Sequence, residues 1–121
     1  MSFCTYIASN CPLEESPLLW HLSLGAQDIY TEKRYVAQIE PDLKDLPGVT
    51  DYICSHLRHT DEVEVWHIWQ GIESEPIIRS WEIPVFDFTV DDLKKLIEKD
   101  VFATATQYDI PVQYRLVIKK R

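Results

Sequence analysis

The apolar positions of this chain recur at two spacings, and the change from one to the other marks out the elements. From residue 112 onward Val112, Tyr114, Leu116 and Ile118 alternate with Gln113, Arg115, Val117 and Lys119, the period of a strand with one apolar face. Lys33 to Ile39 alternates in the same way, with Tyr35, Ala37 and Ile39 on one side, and Pro41 stops it. CTYIAS (residues 4–9) is rich in β-formers and is ended by Asn10-Cys11-Pro12. EVEVWHIWQ (62–70) and PIIRSWEIPV (76–85) flank a short acidic turn, which predicts a hairpin. Setting Trp69 opposite Ile77 places His67 against Arg79, Val65 against Trp81 and Val63 against Ile83, giving one nearly apolar face. The other face is mixed, with Glu62, Glu64, Trp66 and Ile68 facing Ile78, Ser80 and Glu82.

Two segments carry the helical spacing instead. Val49, Ile53 and Leu57 form an i, i+4 stripe behind Pro47-Gly48, read as a turn, with Thr50 as the cap and an end near His59. Thr89 with Asp92 three residues on is a capping box with Asp in place of Glu, and Val90, Leu93, Leu96 and Ile97 follow as the buried stripe. Leu13 to Asp28, holding Pro17, Trp20 and Gly25, shows no period and reads as a loop with one helical turn at Leu18 to Leu22. From Lys33 the order is β-α-β-β-α-β, the split βαβ of a ferredoxin-like α+β domain, with both helices on one face and an extra N-terminal strand and loop. Residues 1–121 are expected to form this single domain. Pro84 counts against the scheme, since it falls where the scheme needs an interior strand.

Charge narrows the partners. Twelve Lys and Arg against twenty Asp and Glu leave a net charge of -8, which argues against nucleic acid and anionic membranes. The charge is uneven, at -4 over residues 1–60, -8 over 61–110 and +4 over 111–121. No apolar run approaches the roughly 18 residues of a membrane span. The start of the chain lacks the pattern of a secretion signal, and three cysteines are an odd number for a disulfide framework, so a cytoplasmic setting is expected. Three glycines, with no Gly-rich phosphate loop, CxxC, HExxH or GxSxG, predict no nucleotide, cofactor or recognised catalytic set.

TYIASNCPL together with EVEVWHIWQGIESEPIIRSWEI resembles a family of small uncharacterised bacterial proteins with a YIA-x-x-x-PL start and a Val-Glu-Val-aromatic strand leading into an acidic turn. Members of that family often carry a Gly-Cys-Gly-Cys-Gly-Phe loop. Here the corresponding place holds Ile39-Glu40-Pro41-Asp42-Leu43, so the resemblance implies no cysteine chemistry and no activity.

Four groups of residues carry candidate chemistry. His56 and His59 are helical i, i+3 neighbours that could share an ion with Asp61 or Glu62. Cys54 points about 200° round the helix from His56, and the expected reading is no metal, with the histidines at a helix C-terminus that favours partial protonation. His67, with Arg79 opposite, is the candidate ligand-binding pair, a histidine that a neighbouring guanidinium would keep neutral; a packed, satisfied ring is the plain alternative. Glu64 and Glu82 are expected to face one another, an unfavourable pairing that calls for a different register, solvation or a cation between them. Trp66, Ile68 and Ile78 lie on the helix-free face, where either the 13–28 segment, Trp20 and Leu22 especially, or a protein partner must cover them. The sequence therefore predicts a small acidic, non-enzymatic binding protein. Its surface would be Trp66, Ile68, Ile78, Glu64 and Glu82, meeting a protein partner or a second copy and steering positive partners with its acidic rim. The competing expectation is a small enzyme or ligand-binding domain with its pocket near His67 and Arg79.

Overall fold

The structure, a computed structural model, describes residues 3–24, 29, 31–39, 42–69, 77–99 and 112–121. In chain order it comprises β1 (Phe3–Ser9), β2 (Leu19–Leu24), β3 (Tyr35–Ile39), α1 (Leu46–His56), β4 (Glu62–Trp69), β5 (Ile77–Pro84), α2 (Val90–Ile97) and β6 (Val112–Lys119). The fold is α+β, and the six strands form one mixed sheet in the order β2-β3-β1-β4-β6-β5. All neighbours are antiparallel except β5 and β6, which run parallel.

This order corrects the ferredoxin-like expectation. β3-α1-β4 is a split βαβ, since β1 lies antiparallel between the two strands. β4 and β5 do not form a hairpin, however, because β6 is inserted between them. The expected row phase survives the insertion. Val63 and Ile83 both pair with Ile118, Val65 and Trp81 both pair with Leu116, and His67 and Arg79 both pair with Tyr114. Alternation fixes which residues share a face, and that part of the reading holds. It carries no information on whether two strands touch or are separated by a third.

Among the described strands β5 becomes an edge strand, and Pro84 is its last residue. A residue with no N–H belongs at such a position, so the objection raised by Pro84 was an objection to the hairpin. The segment read as an irregular loop also contains β2, which pairs with β3 through an irregularity between Trp20 and Ser23. That break in the ladder hides the period from the sequence. α1 starts earlier than Thr50: Pro47 sits in its first turn, where a missing N–H costs little, and Thr50 Oγ1 donates back to the Leu46 carbonyl at 2.9 Å. Gly48 lets Leu18 pack closely on α1: a Cβ there would lie 3.2 Å from Leu18 Cδ1, so the leucine would have to give by a few tenths of an ångström. The capping box of α2 forms as its sequence predicts, with the Asp92 carboxylate accepting the Thr89 N–H at 2.8 Å.

Both faces of the sheet are covered over its central strands. On the helix side Ile7, Ala37, Ile39, Val63, Val65, Leu116 and Ile118 pack under Leu46, Val49, Ile53 and Leu57 of the α1 region and under Leu93 and Leu96 of α2. The opposite face holds a second core of Cys4, Tyr6, Ala8, Val36, Trp66 and Ile68, closed in part by Ile29. No helix among the described residues is long and apolar enough to cross a membrane.

Candidate functional site

A cavity of about 340 Å³ lies between α1 and residues 14–18. Glu14, Ser16, Leu18, Asp51, Tyr52, His56 and His59 are among its walls. α1 ends at His56, so the two histidines share no helical turn; His59 lies beyond the cap, its N–H bonded to the His56 carbonyl at 2.9 Å. His56 is buried, with Nε2 2.8 Å from Ser9 Oγ, and the same oxygen accepts the Cys11 N–H at 3.0 Å. Tyr52 stacks on the His56 ring at 6.1 Å and donates its hydroxyl to the Glu14 carbonyl at 2.8 Å. Burial pushes the His56 pKa down, with His59 nearby acting in the same direction, and pushes Tyr52 up to about 12. The imidazole is therefore neutral, contrary to the partial protonation expected of a helix C-terminus: loss of water outweighs the helix dipole.

A serine and a histidine in contact invite a nucleophilic reading. The geometry opposes it, because Ser9 is wholly buried at the end of β1 and its oxygen is already engaged by backbone. The pair is a latch that ties the β1 end and the Cys11 turn to the end of α1. Among the described residues no group of three or more His, Cys, Asp and Glu side chains is placed to hold a metal ion. Cys54 packs against the helix-side core, and burial, with Asp51 beside it, raises its pKa, which keeps the thiol protonated.

His67 is closed off more completely. It lies beneath the end of α2, with Nδ1 3.0 Å from the buried Thr5 Oγ1 and a further hydrogen bond to the Lys99 backbone, and burial lowers its pKa to about 4. The neutral tautomer that satisfies both contacts donates to the Lys99 carbonyl and accepts from the Thr5 hydroxyl. The sequence reading reached a neutral His67 through the wrong cause. Arg79 is exposed and stands two strands away with Tyr114 between, about 10 Å at the usual strand spacing, so it does not adjoin the ring. The expected His67 and Arg79 pocket is thus not assembled.

The two carboxylates are separated likewise. Val117 pairs with both Glu64 and Glu82, so the like-charge conflict does not arise. Glu64 is buried, accepts hydrogen bonds from Trp66 Nε1 (2.9 Å) and Thr31 Oγ1, and lies 3.8 Å from Arg115 Nη1. Glu82 is exposed, with Lys119 Nζ at 3.3 Å. Next to them Lys33 pairs with Glu62, and that hydrogen bond holds the Glu62 carboxyl below its usual range.

The face of the sheet expected to be open is therefore not open at its centre. Trp66 is 0% exposed and Ile68 1%, and neither can present a docking surface. The described cover is Ile29 with Thr31 and Lys33, just past the segment expected to supply it, while Leu13, Leu18 and Leu19 pack on the helix side instead. The Trp20 and Leu22 side chains, and residues 25–28, lie outside the described residues.

Of the five residues expected to bind a partner, Ile78 and Glu82 remain exposed, and both are on β5. Four large apolar side chains are exposed among the described residues, and three belong to β5 or the turn after it: Ile77 at 45%, Ile78 at 38% and Phe86 at 78%. Sequence reasoning missed Phe86, although an aromatic residue in the turn between a strand and a capped helix is visible in VFDFT. It also missed Ser9, Glu14 and Tyr52, which only the packing of α1 on the N-terminal loop brings together.

No family model matches the chain, and neither a curated protein nor a solved structure matches it.

Proposed function

We propose that the chain is a non-catalytic binding protein that engages a protein partner along the free edge of β5, with Phe86 at one end of the contact. One observation carries this reading: exposed apolar side chains gather on and just after the strand that, among the described residues, has a neighbour on one side only. An edge strand offers unpaired N–H and C=O groups to an incoming strand, and flanking apolar side chains add the contact area. His56 and His67 are buried and engaged by hydrogen bonds within the fold, which favours binding over catalysis at these two residues. The competing reading, a ligand site, moves from His67 and Arg79 to the cavity beside His56, with weaker support, since Tyr52 and His56 in its wall are already bonded to the Glu14 carbonyl and Ser9 Oγ. Three free thiols fit a reducing, cytoplasmic setting.

The test is site-specific photo-crosslinking in cells that naturally carry the chain, with the photoreactive residue at Ile78, at Phe86 or, as an exposed control, at Leu43. Adducts from positions 78 and 86 and none from 43 are expected. Adducts from 43 alone, or from no position, would overturn the proposal.

A further inference from the structure

The cavity between α1 and residues 14–18 has a charge character of its own, and from it we infer a binding site for an aliphatic diamine, held as its dication. This site shares no residue with the β5 edge, and neither proposal depends on the other.

Three features of the walls favour positive charge. Glu14 comes from the N-terminal segment and Asp51 from α1, so each side of the cavity supplies a carboxylate. Both residues are exposed, and among the described residues neither carboxylate is engaged in an ion pair. Ser55 and His56, also in the walls, are the last two residues of α1, and a helix end of this kind carries partial negative charge on its free carbonyls. The Tyr52 ring adds an aromatic wall, whose π face attracts an ammonium group. No lysine or arginine is among the described walls, so an anion would find no charged partner there. The donor set does not suit a metal ion either, because no group of three or more His, Cys, Asp and Glu side chains among the described residues is placed to hold one.

The walls are fixed before any ligand arrives. The Tyr52 hydroxyl donates to the Glu14 carbonyl at 2.8 Å, and the Tyr52 ring stacks on His56, which Ser9 Oγ meets at Nε2. Ser16 Oγ accepts the Leu18 N–H at 3.2 Å, and Leu18 in turn packs against Gly48. These contacts engage the backbone of Glu14 and leave its carboxylate, like that of Asp51, for a ligand. Binding then costs little ordering of the chain. At about 340 Å³ the cavity falls near the lower end of small-molecule sites, which run from roughly 300 to 1,000 Å³. Two ammonium groups balance the two carboxylates, and Leu18 and Tyr52 offer apolar surface to the methylenes between them.

The test is a titration of the full chain, labelled with nitrogen-15, with 1,4-diaminobutane at constant ionic strength. Saturable amide shifts confined to residues around 14–18 and 51–59 are expected, and none from 1,4-butanediol, which has the same length without the charge. Asp51→Asn and Glu14→Gln should each weaken binding roughly fivefold, as for the loss of one exposed ion pair. Both positions are exposed, so both variants should keep the wild-type spectrum away from the cavity. Shifts that do not saturate, that spread over the acidic surface at large, that butanediol reproduces or that either variant leaves unchanged would overturn the inference. Equal shifts of the same residues by magnesium chloride would overturn it as well, since they would mark a site that reads charge alone.

Discussion

β4 and β5 invite comparison because their sequences promise the same thing. Each has eight residues, at least one tryptophan, branched apolar side chains and charges in between, and each pairs with β6. Yet β4 is buried from Val63 to Ile68 on both faces, while β5 is exposed from Ile77 to Ser80. Position in the sheet makes the difference. β4 lies between β1 and β6, under α1 and α2 on one side and under Ile29 on the other, whereas among the described strands β5 has β6 alone. Composition did not separate the strand that builds the core from the strand that is free to bind. A polar residue means something different in each: Glu64 in β4 is held by an indole N–H and a threonine hydroxyl, and Glu82 in β5 meets solvent and one lysine.

The sharpest way to break this comparison is to remove the two central indole rings separately. Trp66→Ala leaves a cavity in the second core and deprives Glu64 of a donor, so a loss of about 3 to 5 kcal/mol is expected in urea unfolding. The half-buried Trp81 of β5 should cost clearly less, and equal losses would mean that the two strands do not differ as described.

A smaller effect should follow pH. The folded pKa of His67 lies near 4, below the ordinary 6.5, so between these values the unfolded chain binds the extra proton. Stability is then complete above about pH 6.5 and falls as pH drops toward 4, by roughly 3 kcal/mol from this one group. His56 shifts in the same direction and adds to the slope. Replacing His67 with Gln should lower stability at neutral pH and flatten the profile in that window. An unchanged slope would show that the ring is not buried neutral.

The latch at the end of α1 gives the next test. Ser9→Ala leaves the Cys11 N–H and His56 Nε2 without this oxygen, at an expected cost of about 1 to 3 kcal/mol. The smallest effect belongs to the edge. Phe86→Ser should change unfolding by less than about 0.5 kcal/mol, because the ring already sits in water. A larger loss would mean that Phe86 is part of the fold and not of a contact.

How much of this was legible follows from what alternation and helical spacing encode. They gave the facing of Val63, Val65 and His67, the row each shares with β5, and the α2 cap, because these depend on neighbours two to four residues apart. They could not give the insertion of β6, since residues 112–119 must travel from the far end of the chain to lie between two strands adjacent in sequence. The burial of Trp66 was hidden for the same reason, its described cover coming from Ile29, Thr31 and Lys33. Of the candidate site, Ile78 and Glu82 were visible as residues of the helix-free face, and their exposure depended on the sheet order.

Amide hydrogen exchange, followed strand by strand in dilute protein, tests the central claim most directly. Among the described strands β4 is bonded on both sides and β5 on one, so the β4 amides should exchange only through global unfolding, while about half of those in β5 exchange almost unprotected. If every β5 amide in the dilute chain is as protected as those of β4, the edge is already covered and no partner docks there.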